Sequence, residues 1–222
     1  MKVGVLVFPG SNCDRDIAVA FERIGATVTM VWHKETSLPD QLDVIAIPGG
    51  FSFGDYLRCG AIAARSPISK ALVDFAHRGG YVLGICNGFQ ILTETGLLPG
   101  ALMQNAKLKF LGKSTDLIVS TTESAFTHRY VQGQSISIPI AHHEGNYSAN
   151  PETLKTLIDN DRIAFRYKDN PNGASEDIAG ILSENRRVLG MMPHPERAVD
   201  AALGGVDGQP FFAGLTDVLV SA

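Results

Sequence analysis

The chain has 222 residues, of which 45% are hydrophobic and 19% charged, with a formal net charge of −4 at pH 7. This predicts a globular protein with one sizeable core, and we expect one domain over residues 1–222. The absence of a basic stripe makes nucleic acid a poor candidate partner, and no apolar run approaches the length of a membrane span. Three cysteines without metal-like spacing favour a reducing compartment, the cytoplasm, and no metal site.

The first 95 residues alternate apolar runs with segments of helical periodicity. Continuous apolar runs predict buried strands, and apolar residues at helical spacing predict helices. Strands are predicted at 3–8, 27–32, 43–47 and 81–83, with helices around 17–24, 68–75 and 89–92. This alternation favours an α/β fold with a mostly parallel central sheet flanked by helices. The loops after the strands would then lie at one edge of the sheet.

The middle of the chain indicates an antiparallel or mixed addition to that sheet. Its short strand candidates, at 108–110, 117–120 and 135–140, have no long helices between them. The remaining predicted elements are a short helix at 154–158, strands at 163–167, 178–182 and 188–192, and a closing helix at 211–220. The turn sequence Asn170-Pro171-Asn172-Gly173 separates the first two of these strands.

A possible nucleophile follows the predicted strand 81–83, in Gly84-Ile85-Cys86-Asn87-Gly88. Glycines at both ends leave room for a sharp turn into the next helix, as in the nucleophile elbow Gly-x-Ser-x-Gly of hydrolases. Because helix N-terminal amides favour negative charge, we expect Cys86 to form its reactive thiolate readily. The alternative is a buried, inert cysteine in a tight turn.

A base and its orienting group are predicted at His194 and Glu196. Residues two apart in an extended segment project to the same side, so Glu196 could hold one imidazole nitrogen and aim the other at Cys86. Alone, this motif is a weak signal and is more typical of a turn whose His and Glu are surface residues. In the same chain as an elbow cysteine, it predicts one catalytic constellation.

Acyl transfer also needs two hydrogen-bond donors for the developing oxyanion. The N–H of Asn87 is the natural first donor. The sequence Pro48-Gly49-Gly50 follows another predicted strand, and Gly50 N–H is our candidate for the second donor, with Gly49 beside it. The alternative is an ordinary strand-to-loop turn.

Three motifs together resemble the class I, triad-type glutamine amidotransferases: Gly-x-Cys-x-Gly-x-Gln at 84–90, Pro-Gly-Gly at 48–50 and His-Pro-Glu at 194–196. The resemblance covers most of the chain and implies a flavodoxin-like fold in a single type 1 glutamine amidotransferase domain. Longer stretches at 8–14, 49–64 and 191–197 are similar to the glutaminase subunits of phosphoribosylformylglycinamidine synthase.

The resemblance implies a reaction at the side-chain amide of glutamine. Cys86 would attack this amide while the N–H groups of Asn87 and Gly50 hold the oxyanion. His194 would take the thiol proton, pass it to the departing ammonia and then activate water. Glu196 would orient His194 and stabilise its charged form.

The resemblance also implies substrate contacts outside this set. Gln90 matches the motif glutamine that helps to hold the substrate. The stretch 141–147 would lie at the amino-acid end of glutamine, which makes His143 a candidate contact. For His142 and His143 the alternative is a structural or partner-facing role. Cys13, which lacks an adjacent base, is expected to be structural.

A partner that uses the ammonia is implied as well. It would be a large ATP-dependent synthetase subunit, PurL, joined by a small bridging subunit, PurS, in de novo purine synthesis. The segment Gly112-Lys113-Ser114-Thr115 resembles the end of a P-loop but lacks the first glycine of that motif. We therefore expect this chain to bind no cofactor and the partner to use ATP and Mg²⁺. The alternatives are a subunit of another synthetase, a stand-alone γ-glutamyl hydrolase-like enzyme, or a binding scaffold that has lost catalysis.

Overall fold

A computed structural model describes residues 1–220, without the side chain of Val220. The strands are β1 (Lys2–Val7), β2 (Thr27–Trp32), β3 (Val44–Ile47), β4 (Tyr81–Ile85), β5 (Ala101–Met103), β6 (Leu111–Val119), β7 (Ser135–His142), β8 (Asn146–Ser148), β9 (Ile163–Tyr167), β10 (Ile178–Leu182) and β11 (Val188–Met191). The α-helices are α1 (Asp14–Arg23), α2 (Pro67–His77), α3 (Asn87–Glu94), α4 (Pro151–Asp159) and α5 (Gln209–Val220). Within the described residues, no helix combines the length and apolar character needed to cross a bilayer.

Nine strands form one sheet in the order β2-β1-β3-β4-β11-β10-β9-β6-β7. The strands from β2 to β11 in this order run parallel. The pairings from β11 to β7 are all antiparallel. The α/β fold with an antiparallel addition is therefore confirmed, although the sheet divides evenly between the two kinds of pairing. Strands β5 and β8 form a separate two-stranded antiparallel sheet.

The burial of the strands follows their sequences. Strand β3, Val-Ile-Ala-Ile, is buried at every position, as expected for a parallel strand covered on both faces. On β7, Ile136, Ile138 and Ile140 are buried while the positions between them are more exposed. This alternation is typical of an antiparallel strand with one face toward solvent.

The structure corrects two predicted elements and adds two short strands. The segment 108–110 is a loop rather than a strand, since Leu108 has a left-handed φ of 53°. Strand β6 begins only after it and runs from 111 to 119, longer than the predicted 117–120, and includes Gly112–Thr115. The three-residue strands β5 and β8 were not predicted, because segments this short carry too little periodicity.

Candidate active site

Cys86 joins β4 to α3 in a strained conformation, with φ 52° and ψ −106°. A non-glycine residue held there costs of order 1–3 kcal/mol and persists only where its surroundings impose it. A Cβ atom at position 88 would lie 2.1 Å from the carbonyl oxygen of Ile47, and one at position 84 would lie 2.7 Å from that of Gly88. The two glycines therefore permit the sharp turn that was predicted as an elbow.

His194 lies just after β11, and its side chain is held by Glu196. Nδ1 of His194 is 2.6 Å from Oε1 of Glu196, and both residues are buried. Because a carboxylate only accepts hydrogen bonds, Nδ1 carries the proton in this contact. Burial disfavours the imidazolium form, but the charge and hydrogen bond of Glu196 together with those of Cys86 outweigh it and raise the pKa of His194. A stabilised imidazolium suits a base that must hold a proton during the reaction.

Gly49 is the point at which the nucleophile and the base meet. A Cβ atom there would lie 2.7 Å from Cε1 of His194 and 3.3 Å from Cβ of Cys86. Both side chains therefore pack against the same short piece of backbone, which follows β3. The structure thus brings together Cys86 and the pair His194 and Glu196, which were predicted from two separate parts of the chain.

A cavity of about 330 Å³ opens beside Cys86, and its walls include Gly50, Gln90, His143 and His194. At Gly50, φ is 144° and a Cβ atom would lie 2.4 Å from the carbonyl oxygen of Gly10, so glycine is required there. Among the described residues, the N–H groups of Gly50 and Asn87 make no hydrogen bond to backbone or side chain. Both remain available to a bound oxyanion.

Gln90 and Asn87 connect α3 to the other walls of the cavity. Nε2 of Gln90 donates to the carbonyl of Glu144 at 2.7 Å, and its Oε1 accepts from Nδ2 of Asn87 at 2.8 Å. The N–H of Ser52 donates to Oδ1 of Asn87 at 3.2 Å. His143 is exposed at the mouth, with Nδ1 3.5 Å from Oε1 of Glu144. The predicted substrate contacts therefore form one connected wall.

His142 has a defined proton position inside the same cavity. The amide nitrogen of Asn105 donates to the carbonyls of Lys109 and His142, which turns Oδ1 of Asn105 toward Nδ1 of His142 at 3.0 Å. Nδ1 is therefore the donor and Nε2 the acceptor. Burial, reinforced by the neighbouring His194, lowers the pKa of His142 to about 4. His142 is thus neutral near pH 7.

Cys13 lies in the cavity wall, a position that sequence analysis did not predict. Its Sγ is 3.0 Å from Nη2 of Arg197, whose Nε is 2.9 Å from a carboxylate oxygen of Asp16. Burial nevertheless raises the pKa of Cys13 to about 12. Cys13 is therefore a protonated neighbour of the nucleophile.

Two carboxylates in the wall, Asp55 and Glu144, were also missed as site residues. They lie in the stretches 49–64 and 141–147, which stood out by resemblance and not by any periodic pattern of side chains. That resemblance was the only signal that could have found them.

The fold and the cavity together define a glutamine amidotransferase. Residues 1–204 match the family described as the CobB/CobQ-like glutamine amidotransferase domain, and the chain belongs to this family. Its relatives include the phosphoribosylformylglycinamidine synthase subunits PurQ of Cereibacter sphaeroides, 67% identical with 97% of each chain covered, and of Roseobacter denitrificans, 66% identical over the whole of both. The structure of PurLQS from Thermotoga maritima contains a chain that is 44% identical, with a TM-score of 0.90 and 98% of each chain covered. The expected resemblance is confirmed.

Proposed function

We propose that this chain is the glutaminase subunit of phosphoribosylformylglycinamidine synthase. It hydrolyses glutamine to glutamate and ammonia, and a separate ATP-dependent subunit uses the ammonia to convert formylglycinamide ribonucleotide to formylglycinamidine ribonucleotide. The observation that carries this proposal is the packing of Cys86 and His194 on Gly49, in a chain similar over its full length to PurQ subunits. Residues 1–222 would act as one type 1 glutamine amidotransferase domain. Three free cysteines support a cytoplasmic location.

The first half of the proposed reaction forms a thioester. Nε2 of His194 takes the proton of Cys86, and the sulfur attacks the amide carbon of glutamine. The oxyanion that forms accepts hydrogen bonds from the N–H groups of Asn87 and Gly50, and the loss of one such donor typically costs roughly 2.7–4 kcal/mol. His194 then gives its proton to the nitrogen, the carbon–nitrogen bond breaks, and ammonia leaves.

The second half releases glutamate. His194 takes a proton from water, which attacks the glutamyl thioester, and the carbon–sulfur bond breaks as Cys86 recovers a proton. Glu196 stabilises the imidazolium that forms in both halves. Protein side chains and amides supply every group in this sequence, so we propose that the chain needs no cofactor and that ATP and Mg²⁺ serve the partner.

The rim of the cavity is a candidate docking surface for the partner. Large apolar side chains are exposed in the two segments that carry Phe51 and Phe110, namely Phe51, Tyr56, Leu57, Leu108 and Phe110. Of these, Phe51 and Phe110 also line the cavity, and Leu57 is 92% exposed. An apolar cluster of this kind commonly marks a protein interface. We propose that a large subunit of the PurL type, with a PurS-type bridging subunit, covers this rim and so activates the site.

Reconstitution with the large and small subunits, formylglycinamide ribonucleotide and ATP tests the proposal. The complex should accelerate glutamine hydrolysis over the isolated chain. With Cys86→Ala, glutamine-dependent synthesis should disappear while synthesis from ammonium salt continues. Full glutaminase activity of the isolated chain would favour a stand-alone hydrolase.

The docking surface is tested separately by Leu57→Ser. This change should weaken binding of the partner and lower its activation of glutamine hydrolysis. Leu203→Ser removes a comparably exposed leucine, 72% exposed and outside the cavity lining, and should leave both unchanged.

A further inference from the structure

A second cavity, of about 600 Å³, lies away from the catalytic residues. Its lining includes Val188 at the start of β11, whereas His194 follows the other end of that strand. It shares no lining residue with the cavity beside Cys86. Its volume is typical of cavities that bind small organic molecules. We propose that the second cavity binds the anionic group, a phosphate or a carboxylate, of a small organic molecule through Arg162.

Arg162 lines the second cavity, and its side chain is only 8% exposed. Its Nε donates to the carbonyl of Leu182 at 2.9 Å. Nη1 and Nη2 carry the other four N–H groups, make no hydrogen bond within the described residues and are not fully enclosed. Oε1 of Glu184 is 3.9 Å from Nη1, which is too far for a hydrogen bond. Because a buried charge is unfavourable unless it is paired, these free N–H groups favour a bound anion.

Arg186 shows how a structural arginine of the same region differs. Its Nη1 is 3.0 Å from the carbonyl oxygen of Asp161, and its Nη2 is 2.9 Å from that of Asn160. These carbonyls follow α4 directly, so the guanidinium of Arg186 caps the helix with both terminal nitrogens. The terminal nitrogens of Arg162 have no such acceptors within the described residues. A purely structural role therefore accounts for Nε of Arg162 but not for Nη1 and Nη2.

Two neutral groups in the lining can also donate hydrogen bonds. Oδ1 of Asn185 accepts from Oγ of Ser183 at 2.7 Å and from the N–H of Arg187 at 3.1 Å, which leaves Nδ2 of Asn185 free to donate. The hydroxyl of Thr153 makes no hydrogen bond within the described residues. Both Asn185 and Thr153 line the second cavity. With Arg162, they form a set of donors suited to the oxygen atoms of a phosphate or carboxylate.

The rest of the lining indicates an organic anion rather than a bare ion. Apolar residues form part of the wall, namely Ala76, Leu97, Pro99, Leu157 and Val188. They provide a surface for the carbon part of such a molecule. Glu152 and Glu184 also line the cavity, but both are exposed, so solvent screens their repulsion of an anion. Because the guanidinium of Arg162 is recessed, a small molecule reaches it more easily than a protein surface does.

The test measures binding of small aromatic molecules to the full-length chain. Phenyl phosphate and benzoate carry the two candidate anionic groups on the same ring, benzamide is the neutral counterpart of benzoate, and inorganic phosphate lacks the ring. Calorimetry gives the affinities, and the NMR signal of the Arg162 Nε–H group locates the site. At least one aromatic anion should bind and shift this signal, and which one binds identifies the anionic group. Benzamide should not bind, and inorganic phosphate should bind more weakly.

Two variants test the charges. Arg162→Gln should weaken binding of the aromatic anion at least about 10-fold, as for the loss of a hydrogen bond to a charged group. Glu184→Gln removes a negative charge near Nη1 and should strengthen binding about two- to fivefold. Glu22→Gln, an exposed residue of α1 outside this lining, is the matched control and should bind as wild type. Circular dichroism shows whether each variant is folded, and the exposed Glu184 keeps the test decisive should Arg162→Gln not fold.

Three results would overturn the proposal. The first is that neither aromatic anion shifts the Arg162 signal. The second is that benzamide binds as tightly as the anions, because the charge would then be irrelevant. The third is that the affinity of the folded variants at Arg162 and Glu184 equals that of wild type. None of these results concerns glutamine hydrolysis at Cys86, so the proposed function is tested separately.

Discussion

The imidazole of His194 packs directly on the backbone of Gly49, where an added Cβ atom would lie only 2.7 Å from Cε1. Cys86 packs on the same residue from another direction, with its Cβ 3.3 Å from that position. Gly49 therefore sets the separation between the base and the nucleophile. Gly49 acts through the close packing of side chains on its backbone, whereas Gly50 is expected to act through its N–H group.

This packing predicts the effect of Gly49→Ala. The added methyl group should displace the imidazole, and a displacement of about 1 Å in a catalytic group can cost about 100-fold in rate. We expect kcat for glutamine in the complex to fall by about that factor, with a smaller change in KM and with ammonium-dependent synthesis retained. Gly205→Ala is the control, since its nearest neighbour would be 3.9 Å away. A normal kcat for Gly49→Ala would refute this role.

His194 and Glu196 should differ in the size and kind of their effects. His194→Ala removes the base and should lower kcat by about 10²–10⁴-fold, whereas Glu196→Gln should leave more activity because it removes only the orienting charge. Since Glu196 raises the pKa of His194, Glu196→Gln should lower that pKa. The limb of the pH profile of kcat/KM that is due to His194 should therefore move to lower pH. An unmoved profile would mean that Glu196 does not act through His194.

Replacing Asp55 by the neutral asparagine should stabilise the isolated chain. Its pKa in the folded protein is about 6, above the ordinary aspartate value, so folding disfavours its charged form. That cost is fully present above pH 6 and disappears as the carboxyl is protonated at lower pH. Because the carboxylate is partly exposed, solvent screening reduces the effect. For Asp55→Asn we expect a melting temperature at pH 8 higher by about 2–4 °C, the shift that ~1 kcal/mol produces in a chain of this size.

The gain in melting temperature should shrink toward pH 5, where wild-type Asp55 is itself protonated. Calorimetry of the isolated chain at the two pH values provides the comparison. A variant that is less stable than wild type at pH 8 would show that the Asp55 carboxylate supports the fold rather than straining it.

The sequence was sufficient to place Cys86, Gly49 and His194, because each follows a strand that is a continuous apolar run. Parallel strands bring such positions to one edge of the sheet, so three distant motifs could be expected to meet. The antiparallel half was harder to delimit. Polar residues on the exposed side of β6 hid its first half, and only 117–120 carried a visible strand pattern.

The carboxylates could not be placed from the sequence for a different reason. Asp55 lies in a loop where Phe53, Asp55 and Leu57 all have left-handed φ values, between 53° and 70°. Such a path has no periodicity and depends on contacts from distant parts of the chain, such as that between Asn87 and Asp55. Glu144 likewise reaches the cavity through a loop after β7. Asp55 and Glu144 therefore come close together because of the tertiary fold, and no local sequence pattern predicts it.

The most direct test of the account is the site at which a glutamine-like electrophile, diazo-oxo-norleucine, labels the assembled complex. Cys86 and Cys13 both line the cavity, so the reagent has access to two thiols. Cys86 has His194 as its base, whereas burial keeps Cys13 protonated by raising its pKa to about 12. Peptide mass spectrometry should find the label on Cys86 alone, in step with the loss of glutamine-dependent activity. Labelling of Cys13 with Cys86 unmodified would contradict the central claim that Cys86 is the nucleophile.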